Sequence, residues 1–334
     1  MKAGPYPWQQ AQWERLQQAR ATDRLPHALL IHGPQGAGLH AFAEHLAAWM
    51  LCTGEQAPPC GTCKNCLLFA AATHPDMMRL QPEEEGKQIR IEAVRDLIDF
   101  TNLKSHGGRF KLALIEPAEA MNRNAANALL KTLEEPPPGT LIMLVTHRPL
   151  ALPVTIRSRA QGVEIDCRPH GVTVAWLRQQ LPEHAAAELC LDLCGGGPLL
   201  ARDWLEQGHL DLRGRLLEDL ARLQEGGMDY TAIARQWDAL DSDLLYRWNR
   251  TLLQDLARLL GQTDTTTLRN KDLLGDLQAL AKRLDLKHVL TSLDLLNECQ
   301  RLARGQGNLR PVNLLETFML HWSGALHADE RKVL

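Results

Sequence analysis

The first half of the chain alternates short apolar runs with stretches of helical periodicity. Runs rich in Ile, Leu and Val predict strands at 27–32, 77–80, 111–116, 141–146 and 162–166. The helical candidates between them lie at 39–52, 89–103, 122–135 and, as a short helix, at 150–159. Because strands that are apolar along their whole length are buried on both faces, this alternation predicts a parallel sheet covered by helices on both sides.

The strand signals stop near Asp166, and the remaining sequence is periodic in Leu. In this second part of the chain, the Gly197-Pro198 step predicts the start of one helix and Gly208 predicts its end. With 334 residues to divide, we predict an α/β domain over 1–166, a small helical lid over 167–208 and a helical domain over 209–334. The predicted fold class is therefore α/β followed by all-α, and Trp8 and Trp13 are expected to pack on the first domain.

Charge and cysteine content restrict the function classes. The formal net charge is -3, so no global attraction to nucleic acid is expected. The N-terminus lacks the apolar core of a secretory signal, and no run is long enough to span a membrane. We therefore expect a cytoplasmic protein, whose 8 cysteines serve metal binding, packing or redox chemistry rather than a disulfide framework.

The first predicted strand leads into a glycine-rich loop. Gly33, Gly36 and Gly38 follow the phosphate-binding pattern G-x-x-x-x-G-K-[ST], but Leu39 stands in the lysine position and His40 in the hydroxyl position. Leu39 has no group to donate to a phosphate, and Mg²⁺ prefers oxygen ligands to an imidazole. An ordinary strand-to-helix turn is the alternative, but the position between a strand and a helix favours a nucleotide loop that has lost its function.

A second element of a nucleotide site is also incomplete. Glu116 ends the strand 111–116, and Pro117 follows where a catalytic glutamate would stand. Glu116 alone could bind a cation, but without an adjacent carboxylate no base is present to activate water. The glycine-rich loop and the end of this strand therefore both lack groups that a nucleotide-hydrolysing site needs.

A cysteine cluster follows the first long helix. Cys52, Cys60, Cys63 and Cys66 include a C-x-x-C-x-x-C run. Four thiolates suit a closed, tetrahedral zinc site with a structural role. A redox pair or an iron–sulfur cluster is the alternative, although the C-P step of the usual ferredoxin run is absent.

The stretch NAANALLKTLEEPPPGTLIMLVT (124–146), together with THPD (73–76), TIRSRAQG (155–162) and the cysteine cluster, resembles the AAA+ clamp-loader subunits of bacterial DNA polymerase III. The resemblance implies a P-loop domain with a zinc-binding insert at 52–66, a helical lid, and a collar domain that joins the subunits in an open ring. Within that family, one type of subunit has a degenerate loop and serves as a rigid stator.

The resemblance also implies roles for two residues. Leu199, in GGPL (196–199), stands where active subunits carry a nucleotide-sensing arginine. Arg159, in SRA (158–160), would be an arginine finger that reaches the ATP of a neighbouring subunit, with Ala160 replacing the usual cysteine. Judged on the residues alone, a surface arginine before a strand or a partner of Glu164 is the favoured interpretation of Arg159, and only the resemblance favours the arginine finger.

The resulting expectation is a stator subunit that does not hydrolyse ATP, helps load the sliding clamp onto primed DNA and completes a neighbour's active site. It implies structural Zn²⁺ and no ATP bound in cis. The implied partners are the ATP-binding gamma and tau subunits, the delta subunit, the sliding clamp indirectly, and primer-template DNA within the complex. The alternatives are an atypical active NTPase and a zinc-dependent nucleic-acid binding module.

Overall fold

The computed structural model describes residues 4–54, 58–84, 86–107, 110–167, 170–183, 186–226, 229–303 and 310–324. The chain divides into two compact units, Met1–Arg202 and Asp203–Leu334. This division falls inside the segment 167–208, so the boundaries of a separate lid remain a prediction.

Within the described residues, the first unit contains one five-stranded parallel sheet in the order β2-β3-β4-β1-β5. Its strands are β1 (Ala28–His32), β2 (Met77–Leu80), β3 (Lys111–Ile115), β4 (Thr140–Thr146) and β5 (Gln161–Glu164). Each strand lies within one or two residues of its predicted position. Because all strands run the same way, the segments that follow β1, β3 and β4 meet at one edge of the sheet.

Both faces of the sheet are buried along the central strands β1, β3 and β4, as their apolar sequences predict, whereas three of the four residues of the edge strand β5 are exposed. Leu29 and Ile31 of β1 face one apolar core, and Ala28 and Leu30 face the other, as the two-residue period of a strand requires. The helices that supply these cores and the lid segment are α1 (Gln10–Ala21), α2 (Leu39–Leu51), α3 (Lys64–Ala70), α4 (Ile91–Asn102), α5 (Arg123–Glu134), α6 (Val154–Arg157), α7 (His170–Gln180), α8 (Ala187–Leu193) and α9 (Pro198–Glu206).

The second unit is helical throughout its described residues. Its helices are α10 (His209–Glu225), α11 (Tyr230–Asp238), α12 (Ser242–Leu260), α13 (Leu274–Ala281), α14 (Leu286–Ala303) and α15 (Pro311–Trp322). Trp237, Trp248 and Trp322 are buried among its leucines. The predicted class, α/β followed by all-α, is confirmed. None of the described helices is long and apolar enough to cross a lipid bilayer.

One predicted helix takes a different form. The segment 150–159 contains a 3₁₀ turn at Pro149–Ala151 and then the four-residue α6, Val154–Arg157. Pro153 separates them, because a proline has no N–H to donate and forces the preceding residue into an extended conformation. Arg159 consequently lies after the end of α6 rather than within a helix.

Candidate functional site

The glycine-rich loop occupies the position of a phosphate loop. It leaves β1 at His32 and enters α2 at Leu39. Gly36 has a φ of 82° and Gly38 a φ of 76°, a left-handed conformation that side chains with a Cβ adopt only at a cost. The path of the loop therefore depends on glycine at these two positions.

Leu39 is a core residue. Its exposure is 1%, and a Cβ built on Gly33 would lie 3.3 Å from its Cδ2 atom. A lysine ammonium held in this position would be removed from water without a paired charge. Leu39 therefore packs in the apolar core next to the loop and offers no charge to a phosphate.

The first turn of α9, together with Gly197 just before it, covers the loop. The Leu199 N–H donates to the Gly36 carbonyl at 3.0 Å, and a Cβ built on Gly36 would lie only 2.5 Å from the Cβ of Leu200. A Cβ built on Gly197 would lie 1.9 Å from the Gln35 carbonyl oxygen. Leu199, predicted to replace a nucleotide-sensing arginine, is therefore part of an apolar segment that packs directly on the loop.

The residues before α1 close the loop from another direction. Trp8 Nε1 donates to the Ala37 carbonyl at 2.9 Å, and Gln9 Nε2 donates to the same carbonyl at 2.8 Å. Tyr6 stacks on Trp8 with ring centroids 4.8 Å apart, and Trp8 meets Trp176 of α7 edge-on at 5.1 Å. The expected packing of Trp8 is confirmed, and it fastens the loop to both the N-terminus and α7.

His40 and Glu116 form an ion pair through His40 Nδ1 and a Glu116 carboxylate oxygen. The side chains are 56% and 16% exposed, and the hydrogen bond to Glu116 raises the pKa of His40 above its usual 6.5 against the opposing effect of burial. In an active loop these two positions would hold Mg²⁺. Glu116, considered from sequence as a lone cation ligand, here has a partner within the chain.

The cysteine cluster has the geometry of a metal site. The Sγ atoms of Cys52, Cys60, Cys63 and Cys66 all lie within 4.8 Å of one another. The Cys52–Cys63 and Cys60–Cys66 pairs are each 4.0 Å apart, close to the ~3.8 Å that tetrahedral Zn–S bonds of about 2.3 Å imply.

Local structure sets this geometry. Cys52 caps the C-terminus of α2, and Cys63 caps the N-terminus of α3 while its sulfur accepts from the Cys66 N–H. The Cys60 N–H points to the sulfur of Cys52, and the Cys63 N–H points to that of Cys60, both at 3.4 Å. Such N–H donors favour thiolates, which are the ligands that zinc binds. The four side chains therefore fit a closed zinc site.

Arg159 lies at a separate surface of the same unit. Its Nε atom donates to Glu134 Oε1 at 2.7 Å, its Nη2 atom contacts the same oxygen, and its Nη1 atom donates to the Thr155 carbonyl at 3.0 Å. The alternative partner considered from sequence, Glu164, is wrong, because α5 rather than β5 presents a carboxylate to this guanidinium. The Arg159 side chain remains 32% exposed.

These features define a class of protein: a P-loop-like α/β unit, in which the glycine-rich loop after β1 has leucine in the lysine position and packs against α9, followed along the chain by a helical unit. A family model described as DNA polymerase III, delta subunit, matches residues 8–168, and the C-terminal model of that description matches residues 207–324.

Individual relatives agree with these family matches. The chain is 38% identical to the DNA polymerase III subunit delta' of Pseudomonas aeruginosa, covering 95% of this chain and 97% of that one. It is 33% identical to the delta' subunit of Escherichia coli K12, with 84% and 83% covered. It is also 34% identical to the tau subunit of Escherichia coli K12, over 61% of this chain and 28% of tau. The chain belongs to the family of DNA polymerase III delta' subunits.

Proposed function

We propose that this chain is a non-hydrolysing stator subunit of a DNA polymerase III clamp loader. In this role it organises the ring that loads the sliding clamp onto primed DNA, and it supplies Arg159 in trans to the ATP site of a neighbouring subunit. The single observation that carries the proposal is the contrast between its two sites. The chain's own loop has no lysine and lies beneath Leu199 and Leu200, whereas the Arg159 guanidinium is partly exposed on another surface.

Arginine suits a role in trans. Its guanidinium is charged at all physiological pH values and its planar donors match phosphate oxygens. An arginine that reaches a transferring phosphoryl group stabilises the negative charge of the transition state and contributes about 10³–10⁵ in rate. Arg159 needs no nucleotide in its own chain to do this.

Exposed apolar side chains near Arg159 favour a protein contact there. Leu150 is 81% exposed and Val154 is 68% exposed, on the two short helical turns that precede Arg159 in the chain. Apolar residues of this size lose unfavourable contact with water when a partner covers them. They would pack against the neighbouring subunit while Arg159 reaches its ATP.

The remaining assignments follow from this role. The partners would be the ATP-binding gamma or tau subunits, the delta subunit, the sliding clamp indirectly, and primer-template DNA held within the complex. Residues 1–166 would form the P-loop-like domain, 167–208 the lid, and 209–334 the collar that joins the ring. The 52–66 insert would be stabilised by one structural Zn²⁺, bound by Cys52, Cys60, Cys63 and Cys66.

Calorimetry on the isolated chain tests the non-hydrolysing role. Titration with Mg·ATP should produce no binding heat, and the isolated chain should show no ATP turnover above background. An atypical active NTPase predicts saturable binding and turnover that a Leu39 substitution changes. Salt-sensitive binding of DNA by the isolated chain would instead favour a zinc-dependent nucleic-acid module.

A further inference from the structure

Every nitrogen of the Arg159 guanidinium has an acceptor within its own chain. Nε and Nη2 both contact Glu134 Oε1. Nη1 donates to the Thr155 carbonyl at 3.0 Å and to Ser158 Oγ at 3.4 Å. A guanidinium satisfied in this way is withdrawn, and it must leave Glu134 before it can bind a phosphate.

Glu134 is placed where a carboxylate is otherwise unfavourable. It is the last residue of α5, and the C-terminus of a helix carries partial negative charge that repels an acidic side chain. Pairing with Arg159 offsets this repulsion.

The Arg159–Glu134 ion pair can be separated at little cost, so Arg159 can exchange Glu134 for another anion. Arg159 and Glu134 are 32% and 49% exposed, so solvent screens their attraction. By contrast, Lys111 and Asp76 in the same unit are 4% and 2% exposed, and separating that pair would leave a buried charge without compensation. A triphosphate carries more charge than one carboxylate and offers several acceptor oxygens, so it can displace Glu134 from the guanidinium.

We infer that Glu134 is a positioning residue that holds Arg159 withdrawn and releases it to the triphosphate of the neighbouring subunit. This inference rests on the proposed function of Arg159. It adds a step in which Arg159 changes its partner from the Glu134 carboxylate in this chain to the triphosphate across the interface. The withdrawn state would lower the basal ATPase rate of the assembled complex, before clamp or DNA is present.

The test uses the complex reconstituted from this full chain and ATP-binding clamp-loader subunits. Glu134→Gln and Glu134→Ala should raise the basal rate of hydrolysis about 1.5- to 5-fold, the range expected for the loss of a partly exposed ion pair. Glu135→Gln is the matched control, because it removes the same charge from the next residue along the chain and should leave the rate unchanged.

A double-substitution cycle separates exchange from a purely structural role of Glu134. In an Arg159→Ala background the Glu134 substitutions should have no effect on the rate, because the group that they release is absent. A basal rate that is unchanged or lower in the Glu134 variants, while Arg159→Ala slows hydrolysis, would overturn the withdrawn state and leave the finger role intact. An unchanged rate in Arg159→Ala would instead overturn the proposed function itself.

The Arg159–Glu134 pairing can also be tested on the isolated chain, without an activity assay. Nitrogen-15 NMR of labelled arginine should show slower exchange of the Arg159 Nε–H with solvent in the wild type than in Glu134→Ala. Equal exchange in the two proteins would overturn the inference, and equal melting temperatures would establish that both are folded.

Discussion

Restoring the lysine of the loop should damage the protein without creating an ATP site. In the Leu39→Lys variant, a side chain that is 1% exposed is replaced by an ammonium on a flexible stem. Removing a fully buried leucine forfeits about 1.5–3 kcal/mol of apolar transfer free energy, and holding an unpaired charge in the same place adds further cost. We expect the free energy of unfolding to fall by about 3 kcal/mol or more.

The gain available to the variant is smaller than this loss. A charge-assisted hydrogen bond to a phosphate contributes about 1.5–3 kcal/mol, and it forms only if the 197–200 segment leaves the loop. The contacts between Gly197 and Gln35 and between Leu200 and Gly36 would have to open first. The variant should therefore remain unable to bind Mg·ATP.

Two assays check this expectation. Urea unfolding of the full chain measures the loss of stability, hydrogen exchange in β1 and α2 locates it, and calorimetry tests nucleotide binding. Leu39→Met is the control, because a swap that conserves volume should cost less than about 1.5 kcal/mol. A Leu39→Lys protein that is as stable as the wild type and binds Mg·ATP would show that the loop is open and that position 39 is not buried.

Three further predictions concern other features of the first unit. The hydrogen bond that protonated His40 donates to Glu116 raises the pKa of His40 above 6.5, so the stability that this pair contributes is complete below pH 6.5 and is lost as the pH rises through the raised value. Urea unfolding should therefore show that Glu116→Gln destabilises the chain more at pH 6 than at pH 9, and an equal effect would contradict the pairing. Metal analysis should find about one zinc per chain, and Cys60→Ser, unlike Cys299→Ser, should release it and speed hydrogen exchange in α3. Leu150→Asp or Val154→Asp should weaken assembly with the ATP-binding subunits, as measured by gel filtration. Leu103→Asp is the control, because Leu103 is likewise an exposed apolar residue, at 61%, and its substitution should leave assembly unchanged.

Features set by local spacing could be predicted from the sequence. The strands followed from runs that are apolar at consecutive positions, and Pro198 and Gly208 bracket α9 as predicted. The cysteines converge because two x₂ spacings and one helix cap determine where their sulfurs lie. In each case residues close in sequence determine the geometry.

Features that depend on distant packing could not be predicted. His40 and Glu116 are 76 positions apart, and they meet only because β1 and β3 flank β4 in the sheet. Glu134 is 25 positions from Arg159, and periodicity does not reveal that α5 ends beside α6. The packing of Leu199 and Leu200 over Gly36 likewise depends on where the first turn of α9 lies, which no local pattern specifies.

The contacts of Tyr6 and Gln9 with the loop could not be predicted for a related reason. Tryptophan near the N-terminus indicated burial, and Trp8 is 5% exposed, but neither hydrophobicity nor spacing indicates a glutamine that donates to the Ala37 carbonyl. Gln9 and Ala37 are 28 positions apart, so no local pattern in the loop predicts this contact.

Whether Arg159 acts in trans is decided by the ATPase rate of a complex that contains Arg159→Ala. We expect the variant to assemble normally with ATP-binding subunits, and DNA-stimulated hydrolysis to lose the part of its rate that comes from the one ATP site that Arg159 completes. Hydrolysis at the wild-type rate in a fully assembled Arg159→Ala complex would contradict the claim that this chain, without an ATP site of its own, completes that of its neighbour.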